Sequence, residues 1–568
     1  MRTRTGLLAG QTAALGLMMA FLVVPASSLF LNAYGARVLP WAYLVVAVAG
    51  VITSTLVVRA GRRVSLAGLA RGLVTAYLLT VAASWFVLVV WNAAWVTFVL
   101  VVLFPLAIPV GFVAVGSQAV RLFTVRELKA QFPRVVAGFP IGFAVGGLVA
   151  GLIGGSLGGV EQILLLGLVA GFAMLALVAR TAREFPAELL ARPETAPTGP
   201  VGAGLPQEGR RAVLRDPLVA AVLGYQVLSG SVTQLLDFLV WERAAATFPD
   251  PVALARFQGL YGAALNVTSI LFVALAASWL LRRYGLRLGL AANPALVLVA
   301  SLVMLGVGEG SGVLGLGFLA MACIAQVADI TTTDGLTRGS VAATYQAVPP
   351  ERRLPAQALA EGAGTPVAIG LVGALLLLIQ WLGLDVLAVV WLVLVLSVLW
   401  LVLSIGTYRS YSGHLAEVLR HRAWDPQALR IEGGDAAVAV RHLLRSAEAE
   451  DRLTGLEALA DSSSPELDRE LARALGDPDP TVRLRALDLV GSAPLAGRPL
   501  VREALRELLG PSTDGVRAAA VLMGPDTQGD PRALRVWEAA MTGTDADLLD
   551  AAVNGAATAP RPAQLPLL

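Results

Sequence analysis

A chain of 568 residues in which 56% are hydrophobic and 15% charged, with a mean hydropathy of +0.72, does not read as a soluble domain, where about 25% of residues carry charge. A formal net charge of +3, from 43 basic and 40 acidic residues, gives no support to nucleic-acid binding. Cys323 is the single cysteine, which excludes a disulfide framework and a cysteine-built metal site.

Met1-Arg2-Thr3-Arg4 opens an apolar run that continues to about Ala33, well past the roughly 7–15 residues of a secretory core, so it reads as an uncleaved first span. A membrane-crossing helix needs about 20 mainly apolar residues. By that rule the first half holds spans at 7–31, 39–58, 66–91, 95–115, 135–157 and 162–178. The second half holds them at 218–240, 260–281, 288–307, 313–327, 367–381 and 386–405. Between the halves, 182–215 is rich in Pro, Gly, Ala and charge and reads as a linker. The expected domains are therefore a six-helix half at 1–181, the linker, a second six-helix half at 216–410, and a soluble remainder at 411–568. Six spans, a linker and six more are the outline of a major-facilitator protein, whose halves are parallel repeats. An Arg-x-Gly-x-Arg spacing after the second span (Arg59, Gly61, Arg63) returns after the eighth (Arg283, Gly285, Arg287).

Loops rich in Lys and Arg stay on the cytoplasmic side. Alternate connections carry that charge: Arg2 and Arg4; Arg59, Arg62 and Arg63; Arg126, Lys129 and Arg134; Arg180, Arg183, Arg192, Arg210 and Arg211; Arg282, Arg283 and Arg287; Arg338, Arg352 and Arg353. The opposite loops hold chiefly Arg37, Arg243 and Arg256. Both termini are thus expected in the cytoplasm, with the chain in a bacterial cytoplasmic membrane.

After Tyr408 charged residues alternate with Leu and Ala at helical spacing. Residues 467–475, the turn 476–480 and residues 481–490 read as helix, turn and helix, and the turn with its Val482-Arg483 resembles a HEAT repeat. Asp514-Gly515-Val516-Arg517 echoes it. Such repeats stack around a shared core and present a surface to a cytoplasmic protein partner; an ordinary helical bundle is the alternative.

No nucleophile elbow, phosphate loop or metal-binding signature is present, so the chain does not read as an enzyme and no cofactor or metal is expected. Ionisable groups inside spans are costly and mark solute or ion pathways. Asp237, with Gln234 and Gln226 on the same helix, reads either as a pathway residue or as an outer-end residue paired with Arg243. Asp329 and Asp334 lie in a polar tract that lipid would not tolerate. That tract lines a cavity or forms a gate, or else Asp334 and Arg338 make an ordinary pair one turn apart. Glu361, Gln118 and Arg121 at span ends complete the pathway candidates. Gly138, Gly142, Gly146, Ala150 and Gly154 recur every four residues along the fifth span, a small face where another backbone can approach.

The run Gly116-Ser117-Gln118-Ala119-Val120-Arg121 to Gln131-Phe132-Pro133-Arg134, with Asp237-Phe238, Phe257-Gln258-Gly259 and Val348-Pro349-Pro350-Glu351-Arg352-Arg353, resembles the nucleotide (ATP/ADP) translocase family and its bacterial relatives. The resemblance implies a polyanionic substrate met by cationic side chains, a role that Arg71, Arg121 or Arg338 would take here. The expected function is alternating-access transport of a small, anionic metabolite, with a nucleotide as the named candidate and the repeat domain as a regulatory or partner-binding module. The alternatives are a non-transporting scaffold or sensor and a lipid transporter.

Overall fold

Backbone groups that cross lipid must be satisfied within their own segment, which favours helices. The computed structural model describes residues 2–61, 64–123, 125–189, 216–345, 348, 350–420, 440–441, 443–460, 467–492, 495–523 and 530–558; among them every regular element is helical. Eleven helical segments are long and apolar enough to cross a membrane. The longest, Pro251–Gly310, covers 60 residues. At about 1.5 Å per residue that is roughly 90 Å, three times a hydrocarbon core of about 30 Å. It turns back at Gly285, whose φ of 68° and ψ of −165° only glycine adopts without strain, so the chain crosses twelve times.

The first half consists of α1 (Arg2–Tyr34), α2 (Leu39–Gly61), α3 (Leu66–Trp91), α4 (Trp95–Leu122), α5 (Gly138–Ile153) and α6 (Ile163–Glu184), with a connecting helix at Val125–Val136 before α5. The second half consists of α7 (Pro217–Thr247), α8 (Pro251–Phe272), α9 (286–311), α10 (Leu316–Thr332), α11 (Pro350–Trp381) and α12 (Val386–Arg420). Of the expected linker, residues 190–215 lie outside the described residues. Polar caps start several spans: Asp216 accepts from the Leu218 and Val219 amides ahead of α7, and Asp250 from that of Ala253 ahead of α8. Each is followed by a proline at the first helical position, where its missing N–H costs nothing.

The polar tract after 327 does not end its helix. α10 runs on through a π turn, Thr333–Thr337, into a further helical segment, Arg338–Thr344. α8 likewise runs into a π turn at Val273–Ala277, and the two turns touch: a Cβ on Gly335 would come within 2.6 Å of Phe272 and 3.2 Å of Ala277. α11 begins at Pro350, well before the apolar run that marks it in the sequence.

The two halves meet along α5 with α8 and along α2 with α11. Let the near side be the one where α1 begins and the far side the one where it ends. α5 and α8 run antiparallel, and their closest approaches, Gly155 to Val252, Gly151 to Arg256 and Leu260, Gly147 to Gly259, and Gly262 to Phe143, extend from the far end to mid-depth. α2 meets α11 in the same way, through Pro40 and Tyr43 with Gly373, Ala47 with Gly370, and Gly50 with Pro366. Ser27 Oγ donates to Gln258 Oε1, and Gln380 Nε2 to the Arg37 carbonyl at 3.3 Å, both at the far end. The far side is therefore closed.

The chain divides into two compact units, Met1–Tyr411 and Ser412–Leu568. In the second unit, α13 (Ala449–Ala460), α14 (Leu467–Leu475), α15 (Pro480–Ser492), α16 (Pro499–Leu508), α17 (Thr513–Leu522), α18 (Pro531–Thr542) and α19 (Ala546–Thr558) stack around Leu456, Leu471, Val482, Val501, Leu505, Val516 and Ala533. A recurring ion pair ties each layer to the next. Arg452 grips Asp477 through Nε and Nη2 at 2.8 and 2.9 Å, Arg483 pairs with Asp514 at 2.7 Å, and Arg506 with Asp530 at 2.7 Å. The Arg532 amide, followed by the Arg506 guanidinium, holds the Asp530 carboxyl below the usual carboxylate range.

The side chains of Arg452 and Asp477 are 13% and 10% exposed, so removing one partner leaves a poorly solvated charge. Asp477→Ala is expected to cost about 3 kcal/mol, read as faster amide exchange through α13–α15 in the full-length chain. Arg485→Ala breaks a pair with Glu457 that is about half exposed, and should stay within about 0.5 kcal/mol. Equal effects from the two variants would remove the ladder's structural role.

Candidate functional site

Helical spacing of three and four residues puts Thr233 and Asp237 on one face of α7, and Gln326, Asp329 and Thr333 on one face of α10. These faces meet inside the second half. Asp329, fully buried, accepts from Thr233 Oγ1 at 2.6 Å and from Asn293 Nδ2 of α9 at 3.0 Å. The same Asn293 nitrogen lies 2.8 Å from Thr333 Oγ1 and 3.3 Å from the Asp329 carbonyl. Toward the far side, Asp237 accepts from Gln326 Nε2 at 2.9 Å, and Gln326 Oε1 accepts from the Tyr261 hydroxyl of α8 at 2.6 Å. Toward the near side, Asp334 accepts from Ser269 Oγ of α8 at 2.8 Å and pairs with Arg338 at 3.1 Å. The three rungs form a ladder of carboxylates at successive depths, Asp237 held by an amide, Asp329 by an amide and a hydroxyl, and Asp334 by a hydroxyl and a guanidinium.

Asp334 and Arg338 side chains are 27% and 72% exposed, so the ladder is reachable at its near end. Tyr43 of α2, in the first half, stands beside Asp237 and Gln234. Arg243 is occupied by Glu242 and by the Val313 carbonyl, so it does not serve Asp237. Gln226 faces α11, where a Cβ on Gly364 would come within 3.5 Å of it.

The other expected site residues fall elsewhere. Gln118 is buried within the first half, where it exchanges hydrogen bonds with Gln11 at 3.0 and 3.3 Å while Gln11 also donates to Thr181 at 2.9 Å. That cluster ties α1, α4 and α6 together. Arg121 is exposed at the end of α4, and Arg71 is exposed on α3. Glu361 lies in α11, but its side chain is outside the described residues. Gly138, Gly142 and Gly146 face α1, and Gly154 faces Ile163. Thr233, Asn293, Tyr261 and Ser269 are ladder residues that the sequence reading missed. Applying the cost of buried polarity to uncharged amides and hydroxyls would have exposed Asn293, which sits inside the apolar run 288–307.

Among the described residues no three His, Cys, Asp or Glu side chains gather as a metal site. The first half also contains a cavity of about 190 Å³ walled by Leu15, Met18, Tyr77, Leu103, Val110 and Met174, with the Tyr77 hydroxyl turned to the Met18 carbonyl.

No family model and no curated protein matches the chain. Solved structures do. A nucleoside transporter, NupG, aligns with a TM-score of 0.52 at 14% identity, covering 71% of this chain and 99% of that one. A bacterial homologue of the iron transporter ferroportin in its inward-facing state aligns at 0.51 and 17% identity, covering 72% and 98%. A POT family transporter in complex with a thioalcohol-conjugated peptide aligns at 0.51 and 12%, covering 70% and 96%. The twelve-span unit has the major-facilitator fold.

Proposed function

We propose that the chain moves a small polar solute across the bilayer by alternating access, with the near side facing the cytoplasm of a bacterium, as the arginine distribution favours. One observation carries this reading: a ladder of carboxylates buried among the spans ends at its near rung in the partly exposed Asp334, while the halves are closed on the far side. Three carboxylates with amide and hydroxyl neighbours suit a solute rich in hydrogen-bond donors, neutral or cationic. A nucleoside, the solute named for one structural neighbour, has that character.

The anionic reading, with a nucleotide as substrate, has one specific support. Arg338 is 72% exposed and could leave Asp334 for a phosphate, with Arg121 as a second cation. Lipid handling has the apolar cavity of the first half in its favour. The soluble unit, with its HEAT-like stack, serves as a regulatory or partner-binding module; without transport, it would make the chain a scaffold.

Uptake into proteoliposomes separates these readings. Labelled nucleosides, nucleotides and amino acids are offered with and without unlabelled solute inside. Flux of a neutral or cationic solute is the expected result, reduced severalfold or less in Arg338→Ala. Nucleotide exchange that disappears in Arg338→Ala would replace it with the anionic reading, and absence of flux for every solute would favour the scaffold.

A further inference from the structure

We infer that Asp329 is the centre of a binding site for a monovalent cation, and that the ion is Na⁺. The carboxylate is fully buried at mid-membrane, and among the described residues no basic side chain pairs with it. The nearest guanidinium on its helix, that of Arg338, is already paired with Asp334. A carboxylate in that position must be compensated, because an isolated charge in a low-dielectric interior costs far more than hydrogen bonds from neutral groups return. One carboxylate among neutral oxygens balances one positive charge; a divalent ion would leave a net charge in the membrane.

The surrounding atoms are hard oxygen donors, the kind that bind alkali and alkaline-earth ions. Thr233 Oγ1 lies 2.6 Å from Asp329 Oδ2. Asn293 supplies the independent observation: it is fully buried, yet its Oδ1 has no hydrogen-bond partner. Meanwhile its Nδ2 faces three oxygens, Asp329 Oδ1, Thr333 Oγ1 and the Asp329 carbonyl, at 3.0, 2.8 and 3.3 Å, with only two hydrogens to offer. A half-turn of the amide about Cβ–Cγ brings the unpartnered oxygen into that group. Carboxylate, hydroxyl and carbonyl oxygens then lie about 2.8–3.3 Å from the amide oxygen, four hard donors around one point.

The adjoining π turn adds capacity. A π turn departs from the regular i to i+4 ladder and recurs at functional positions. Thr333, whose hydroxyl already meets the Asn293 amide, opens this one. The other titratable groups around Asp329 are Asp334 on its own helix, Tyr225 and Asp237 on α7, and Tyr261 on α8. None of them supplies a positive charge.

Where the ion sits does not depend on the transport reading; that it would be coupled to solute movement does. Thermal melting of the purified full-length chain tests the site directly, with NaCl titrated against choline chloride at constant ionic strength and KCl as control. Expected is a Tm that rises and saturates with Na⁺ but not with K⁺. Asp329→Asn and Thr333→Val should each move the Na⁺ midpoint at least about tenfold higher, equivalent to about 1.4 kcal/mol of binding. If Asp329→Asn does not fold, Thr333→Val decides. Equal responses to Na⁺ and K⁺, an unchanged midpoint in the variants, or a Tm that follows pH and ignores Na⁺ would overturn the assignment; the last would give Asp329 a proton instead. The melt needs no flux, so a failure of proteoliposome uptake leaves it standing, and the converse holds.

Discussion

Gly142→Leu is expected to abolish accumulation of folded protein, whereas Gly147→Leu, five residues along the same helix, should leave a folded protein that cannot close its far side. The difference lies in what each glycine faces. A Cβ on Gly142 would stand 2.0 Å from the Ala13 carbonyl oxygen, and one on Gly138 would stand 2.4 Å from that of Ala9. The α1 side answers in kind, since a Cβ on Gly16 would lie 2.1 Å from the Phe139 carbonyl. These backbones are in contact within one half. Lipid gives no hydrophobic drive to re-associate helices held apart, so close packing supplies most of the attraction. A leucine forces α1 and α5 apart along the whole seam and loses several kcal/mol of a stability of about 5–15 kcal/mol.

Gly147 faces α8 in the other half, where its Cβ would lie 2.7 Å from the Gly259 carbonyl. That seam can open by moving one half against the other, so the strain goes into the far-side closure. With Cys323 replaced by serine, cysteines placed at Ser27 and Gln258 report on that closure, because those residues now bond across the halves. The expected readout is fast labelling from the far side in Gly147→Leu and slow labelling in the parent. Loss of folded protein in both glycine variants, or unchanged labelling, would refute the distinction.

Much of this architecture was legible because lipid imposes length and charge rules. Runs near 20 apolar residues mark the spans, and the arginines of alternate loops mark one side without reference to hydropathy. The polar tract around Asp329 and Asp334 was legible as something lipid would not tolerate, but not as continuous helix. Hydropathy placed its tenth span at 313–327, while the residues beyond run on through a π turn. π turns carry no local sequence pattern, since the extra residue is accommodated by neighbours distant in sequence. Gly285 is similar: its loop is visible in Arg283 and Arg287, but its positive φ is a tertiary requirement. The fifth span showed one glycine face in its four-residue spacing; Gly147, Gly151 and Gly155 form a second that the first obscured. In the site, the carboxylates declared themselves through their cost in the membrane. Their partners are neutral, and a Thr or Tyr in an apolar run has so many packing roles that only the fold reveals which reach a carboxylate. Gln118 illustrates the converse, a conspicuous polar residue consumed by an amide pair with Gln11 inside its own half.

Asp237 is the rung where loss of charge should cost function without costing the fold. Its Oδ1 accepts from Gln326 Nε2 at 2.9 Å, Gln326 in turn accepts from Tyr261 at 2.6 Å, and Tyr43 brings the first half against the same group. Asparagine keeps the shape and an oxygen to accept from Gln326, so the chain to Tyr261 survives. A hydrogen bond to a charged group contributes about 1.5–3 kcal/mol and a neutral one about 0.5–1.5 kcal/mol. If a solute donates to the Asp237 carboxylate during the crossing, Asp237→Asn lowers uptake by roughly tenfold, at about 1.4 kcal/mol per tenfold. Removing a charge from the membrane interior meanwhile leaves Tm unchanged or raises it. Asp237→Ala also strips Gln326 of its acceptor, and a buried unsatisfied amide costs about 1–3 kcal/mol, so that variant should lose both uptake and Tm. Full uptake in Asp237→Asn would reduce Asp237 to a packing residue, and an equal fall in Tm for both variants would make its role structural. Only the split between the two readouts places this carboxylate on the path of the solute.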